Sequence, residues 1–263
     1  MSEVYTMGID IGSTASKCVI MKNGKDIVGS AIVDLGAGTS GTERVIAKAL
    51  ADANFTADDI DLQISTGYGR NSYEDAEKTV SELSCHAKGG KFIFGDVRTI
   101  IDIGGQDIKV LKLNKNGQLL NFLMNDKCAA GTGRFLDVMA KVLDVDIEDM
   151  GEMDAKATET TAISSTCTVF AESEVISCLA KKIPMNNIVR GIHASVASKV
   201  ASLAKRGGLE APVAMTGGVT RNPGIVRALE RELNTEIAIS DLSQLAGAIG
   251  AALYAYDEYR KKN

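Results

Sequence analysis

Apolar and polar residues alternate through the N-terminal stretch of the chain and change to a helical period only after it. Residues 4–9, 17–21 and 26–33 read as three strands, the last two joined by Asn23-Gly24, a strong short-range hairpin signal. Over 42–53 the period changes, and Val45, Ile46, Ala49 and Leu50 fall on one face of a helix. A short strand, 62–65, runs into the turn Gly67-Tyr68-Gly69, and a helix is predicted over 72–88. The strand pattern returns over roughly 99–124, again with an Asn-Gly turn, Asn116-Gly117. Helices follow at about 132–144 and 168–182, separated by a polar stretch rich in Asp, Glu and Thr, with a longer helix at 188–205. The strand 213–215 ends in Thr216-Gly217-Gly218-Val219. A helix over 223–233, a strand over 236–239 and a small-residue helix over 244–259 complete the pattern.

The two strand-rich stretches repeat one motif. Ile9-Asp10-Ile11-Gly12-Ser13 recurs as Ile101-Asp102-Ile103-Gly104-Gly105, and each continues into a strand with a lysine, Lys17 or Lys109. Hairpins followed by helices predict an α/β protein of mixed sheets with helices packed on them. Two such units, each with an acidic residue at a glycine turn, suggest facing lobes that hold a polyanion and its cation, as a nucleoside triphosphate with Mg²⁺ would be held. A glycine turn after a buried strand lets backbone N–H groups approach phosphate oxygens. Gly12, Ser13, Thr14, Ala15, Ser16 and Lys17 form the first such turn, with hydroxyl donors at Ser13, Thr14 and Ser16 and a charge at Lys17. Gly104, Gly105 and Gln106 form the second. Asp10 and Asp102 would repel phosphate directly and suit the outer sphere of a hydrated Mg²⁺. Gln106 is the candidate for orienting an attacking water. Thr216, Gly217 and Gly218 make a third glycine turn suited to bracketing the nucleoside, and Gln244 joins the cofactor-binding set. Any one such turn is more commonly an ordinary tight turn; three of them, two with an acid in register, favour nucleotide binding.

A rival lies at Gly36-Ala37-Gly38-Thr39-Ser40-Gly41, which matches G-x-G-x-x-G between a strand and a helix. Its preceding strand belongs to an antiparallel hairpin, which argues against a dinucleotide fold. The Walker A pattern is absent.

Composition narrows the classes. The chain has 263 residues, 45% hydrophobic and 24% charged, as in ordinary globular proteins. A net charge of −5, with no Lys/Arg-rich run before the last residues, argues against nucleic acid as the main partner. No apolar run approaches the ~20 residues of a membrane span and no signal-like segment opens the chain, so a cytoplasmic location is expected. Five cysteines, an odd number, do not read as a disulfide framework.

Cys128 stands just before one predicted helix and Cys167 just before another, where helix N-termini stabilise thiolate. Two readings stand. The pair are unrelated buried cysteines, or they are half of a four-thiolate metal centre completed by a two-fold partner. Cys178 lies about three turns along the helix from Cys167, roughly 16 Å away, too far to share its metal. Cys178 and Cys18 read as core residues. Cys85 and His86, adjacent in a helix, point to different faces, and His193 reads as packed or solvated.

Several segments together resemble the activator ATPases of 2-hydroxyacyl-CoA dehydratases: 8–17, Thr66-Gly67-Tyr68-Gly69-Arg70, 101–107, 124–135 and 164–173. The likeness covers essentially the whole chain, and the two cysteine segments are its most specific part. The wider family includes ATPase subunits of benzoyl-CoA-type reductases. The resemblance implies the fold shared by actin, Hsp70 and sugar kinases, with two duplicated ribonuclease-H-like lobes, here 1–95 and 96–263, the last helix packing back on the first. It also implies a homodimer with one [4Fe-4S] cluster at the subunit interface, ligated by Cys128 and Cys167 of each chain. Members take an electron from reduced ferredoxin or flavodoxin and pass it, driven by ATP, to the dehydratase, where a ketyl radical lets an unactivated β-hydrogen leave. Such clusters are oxygen-sensitive and imply an anaerobe. Lifting one electron ~300 mV above a ferredoxin near about −400 mV costs about 7 kcal/mol, a requirement that ATP hydrolysis meets. The alternatives are a small-molecule kinase of the same fold, an ATPase subunit of a benzoyl-CoA-type reductase, and a non-enzymatic iron–sulfur carrier.

Overall fold

Apolar side chains on both faces place β1 (Tyr5–Ile11) at the centre of the first sheet. β2 (Ser16–Lys22) pairs with it antiparallel, and β3 (Asp26–Val33) pairs antiparallel with β2. At the β2–β3 turn both Asn23 (φ 54°) and Gly24 (φ 63°) are left-handed, the conformation that matches the twist of a two-residue hairpin. The computed structural model describes residues 3–164 and 167–263. α1 (Gly41–Ala53) lays Val45 and Ala49 on the core and ends at left-handed Asn54. β4 (Leu62–Thr66) runs parallel to β1, and β5 (Lys78–Thr79) parallel to β4, giving the order β3-β2-β1-β4-β5.

The helix expected over 72–88 forms instead as α2 (Glu82–Phe94). The Ser81 hydroxyl caps it, accepting from the Ser84 N–H at 3.2 Å. The polar segment before Ser81 has no apolar stripe to bury, so its main chain pairs with β4: Glu77 N–H donates to Gln63 O and Val80 N–H to Ser65 O.

The second sheet repeats the plan. β6 (Thr99–Ile103) is buried throughout, with β7 (Ile108–Leu113) antiparallel to it and β8 (Leu119–Asn125) at the edge. Helices α3 (Gly133–Leu143), α4 (Met150–Ala155), α5 (Thr168–Ala180) and α6 (Met185–Arg206) follow. β9 (Val213–Thr216) joins β6 in parallel, α7 (Pro223–Leu233) follows, and β10 (Ile237–Ala238) completes the order β10-β9-β6-β7-β8.

α4 lies inside the polar stretch between two predicted helices. It packs Met150 into the core and buries one acid, Asp154. Arg227 Nη2 reaches Asp154 Oδ2 at 3.0 Å and His193 Nδ1 lies 3.6 Å from Oδ1, while Asn222 Nδ2 lies 3.2 Å from His193 Nε2. Burial alone would raise the Asp154 pKa, but the hydrogen bonds of His193 and Arg227 outweigh it and hold it at about 2. His193 is therefore a fully buried member of a polar network that ties α4, α6 and the cap of α7 together.

The last helix, α8 (Ala246–Lys262), belongs with the first strands. One compact unit comprises Met1–Asp96, Asn114–Leu119 and Ser240–Asn263, and the other Val97–Leu113 and Leu120–Ile239. α8 begins two residues after Gln244, which sits in a short 3₁₀ turn. Its small residues let it lie on β1 at backbone distance, where a Cβ on Gly8 would come within 2.0 Å of Ala248 O.

Candidate functional site

Each hairpin of the duplicated motif ends in a four-residue turn of the same design. In the first unit Gly12 N–H closes on Ala15 O at 3.0 Å, and in the second Gly104 N–H closes on Asp107 O at 3.0 Å. Among the described residues, the amides of Ser13 and Thr14, and those of Gly105 and Gln106, donate to no backbone acceptor. Two adjacent donors are thus left at the same register of both turns, the arrangement a backbone anion nest needs.

Register also pairs the charges. Asp10 faces Lys17 across β1–β2, with Nζ 3.2 Å from Oδ2, and Asp102 faces Lys109 across β6–β7 at 3.3 Å. The parallel neighbour of Asp10 is Thr66, followed by Gly67; that of Asp102 is Thr216, followed by Gly217. Gly67 and Gly217 share φ 89°, a conformation closed to most side chains, and each packs on the acid beside it. Sequence alone assigns no role to the Gly67–Arg70 turn. It is the structural counterpart of the Thr216–Gly218 turn, and the recurrence of Thr-Gly after a buried strand was the signal for it.

The two halves differ where sequence made them alike. Asp102 accepts from the Thr216 hydroxyl at 2.7 Å on Oδ1 and pairs with Lys109 on Oδ2, and Lys109 pairs as well with Asp107 at 2.7 Å. Asp10 has Lys17 on Oδ2, but its Oδ1 is buried without a hydrogen-bond partner. The two acids therefore differ in their partners: Asp10 keeps a buried oxygen without one, while both Asp102 oxygens are engaged by Thr216 and Lys109. Ser16 also departs from expectation. It is buried, and its hydroxyl donates to Leu35 O at 2.8 Å, so it fastens the hairpin and leaves Ser13 and Thr14 as the hydroxyls of the turn. Lys17 is partly exposed and Gln106 is exposed. The G-x-G-x-x-G segment follows β3, an edge strand in antiparallel pairing, which is not the parallel context a dinucleotide motif requires.

The cysteines divide by environment. Cys18 and Cys85 are fully buried, and burial pushes both thiols up, Cys85 to about 12. Cys128, Cys167 and Cys178 are half-buried. Cys167 is the N-cap residue of α5, in extended conformation. Ser165 and Thr166, part of the segment singled out in the sequence, lie outside the described residues. Cys128 is not at a helix start, contrary to the sequence reading: Thr132 caps α3, and the first amides of that helix are occupied. Gly133 N–H donates to Gly104 O at 2.9 Å and Arg134 N–H to Gly105 O at 2.8 Å, so α3 is seated on the second phosphate-type turn. The positive group beside Cys128 is Lys199 of α6, with Nζ 3.4 Å from Sγ. α3 and α5 pack on one another.

The sequence profile of the BadF/BadG/BcrA/BcrD ATPase family matches residues 7–255. The chain belongs to that family. It is 59% identical to a 2-hydroxyisocaproyl-CoA dehydratase activator from Clostridioides difficile, over 98% of this chain and 97% of that one. It is 56% identical to an (R)-2-hydroxyglutaryl-CoA dehydratase activating ATPase from Acidaminococcus fermentans, over 98% and 99% of the two chains. The solved structure of the Clostridium difficile activator with bound ADPNP superposes with a TM-score of 0.96, covering 98% of this chain and 97% of that one. A ROK-family glucokinase from Streptomyces griseus shares the fold at a TM-score of 0.59 and 14% identity, over 96% and 99% of the chains. The BadF/BadG-type chain thus has the actin and sugar-kinase-like architecture. Among its described residues no helix is long and apolar enough to cross a membrane.

The residues fit the groups that the family resemblance implies. A buried carboxylate oxygen without a partner at Asp10 suits a hydrated divalent cation, and the unused turn amides suit phosphate. Two half-buried cysteines, one on a helix N-cap and one against a lysine, suit thiolate ligation, which Cys18 and Cys85 do not.

Proposed function

We propose that this protein is an ATP-hydrolysing one-electron donor that activates a 2-hydroxyacyl-CoA dehydratase. What supports the reading most is the pair of hydrogen bonds from Gly133 and Arg134 to the carbonyls of Gly104 and Gly105. They make the phosphate turn and the start of the helix after Cys128 one mechanical piece. The nucleotide is ATP with Mg²⁺. Ser13, Thr14, Gly105 and Gln106 offer amides to phosphate oxygens, and Lys17 adds charge. Asp10 and Asp102, the latter also tied to Lys109 and Thr216, would organise the waters of the cation, and the exposed Gln106 side chain orients the attacking water. Gln244 is assigned to the nucleotide as well. Cys128 and Cys167 would hold the metal centre, and a [4Fe-4S] cluster so held would supply reversible one-electron transfer. When the γ-phosphate leaves, a shift of the Gly104–Gln106 turn pulls on α3 and on the segment that carries Cys128, a contiguous physical coupling. The electron donor is a reduced ferredoxin or flavodoxin, and the protein works in the cytoplasm of an anaerobe. The dehydratase reading is preferred to a benzoyl-CoA-type reductase subunit because the two relatives above are dehydratase activators at 59% and 56% identity.

Ligand count supplies the test. Two thiolates per chain and a four-thiolate centre require one cluster per two chains. Native mass measurement of anaerobically purified protein is expected to give a dimer with a single cluster, weakened by chelator or air. A stable monomer with a complete cluster would contradict the reading.

A further inference from the structure

Lys199 has an unusual partner. Its ammonium lies 3.4 Å from the Cys128 sulfur, and among the described residues that sulfur is its one hydrogen-bond or ion-pair partner. Lys205, further along the same helix, pairs with Glu232 in the ordinary way. A neutral thiol is a poor acceptor for an ammonium, whereas a thiolate is a good one. The lysine stem runs past the same turn, where the Cβ position of Gly131 lies 3.5 Å from Lys199 Cγ. Lys199 is half-buried, so water screens its charge less than that of Lys127, which neighbours Cys128 in the chain but is exposed.

We propose that Lys199 is a positioning residue whose charge sets the reduction potential of the centre that Cys128 ligates, an inference that rests on the cluster reading above. One-electron reduction by a low-potential donor adds a negative charge to a centre already made negative by its thiolates. An ammonium against one of them favours the reduced form, and hydrogen bonds to ligating sulfur act in the same direction. In a two-fold dimer the residue acts twice. Lys199 thereby makes electron uptake from a ferredoxin-like donor easier.

The test compares wild type, Lys199→Met, Lys199→Arg and the control Lys205→Met, all purified without oxygen. Iron and sulfide are assayed first, and the midpoint is then read by redox titration of the electron paramagnetic resonance signal. Lys199→Met is expected to keep its iron and shift the reduction equilibrium at least about tenfold toward the oxidised form, about 59 mV for one electron. Lys199→Arg is expected to stay near wild type, and Lys205→Met to be unchanged. A fully loaded Lys199→Met with the wild-type midpoint overturns the proposal, as does an equal shift in Lys205→Met. If Lys199→Met loses iron, Lys199→Gln, which keeps an N–H donor without the charge, decides the same question by the same shift. Wild type that binds no iron would overturn the cluster reading itself, and this proposal with it.

Discussion

Serine at Cys128 or Cys167 is expected to abolish bound iron, while serine at Cys18, Cys85 or Cys178 leaves it in place. The division follows from where the five thiols sit. Cys18 and Cys85 are sealed in the first unit, and burial disfavours the thiolate that a metal needs. Cys178 lies on α5 about three turns beyond Cys167, roughly 16 Å along the helix and out of reach of the same metal. Cys167 caps α5, where the helix dipole favours negative charge, and Cys128 faces the Lys199 ammonium. Serine is nearly isosteric with cysteine but is a far weaker ligand for iron, so the substitution removes ligation without opening a cavity. Iron and sulfide assays on each anaerobically purified variant decide the matter. Full iron in the Cys128→Ser dimer would remove that residue from the ligand set.

Gln106→Ala is expected to bind ATP nearly normally and to hydrolyse it at least ~10²-fold more slowly, a typical loss for one positioned catalytic group. The backbone amide of residue 106, which stays in the variant, is one of the two free donors of the second turn, so phosphate binding persists. The side chain is exposed at the tip of that turn, so its removal costs the fold little. Asp10→Asn is expected to behave differently, weakening Mg·ATP binding and hydrolysis together, because it removes the charge of a buried carboxylate proposed to organise the cation's waters. Steady-state hydrolysis and nucleotide binding measured on both variants separate the two roles. Unchanged turnover in Gln106→Ala would pass the water-positioning role to an aspartate.

The hairpins were legible in the chain because alternation and Asn-Gly turns report backbone geometry locally, and the Asp-Ile-Gly motif fell at the same register in both. The start of α2 was misread because Lys78–Thr79 carries no apolar pattern; its pairing with β4 is made by main chain alone. α4 escaped because it is only 6 residues long and one of its buried side chains, Asp154, is charged. The inequality of Asp10 and Asp102 depends on a hydroxyl from Thr216, distant in sequence, and no local pattern encodes it. The same is true of Lys199 and Cys128, and of the seating of α3 on Gly104 and Gly105, which moved the electrostatic support of Cys128 from a helix end to a lysine.

The central claim is that ATP makes electron transfer to the dehydratase possible. It is tested most directly by dehydratase activation under strictly anaerobic conditions, with reductant and nucleotide varied independently. Reduced protein without ATP, and ATP without reductant, are each expected to leave the dehydratase inactive, and a non-hydrolysable analogue to permit docking at most. Only reductant and ATP together should activate it. Full activation by reductant alone would contradict the account and leave a simple iron–sulfur carrier in its place.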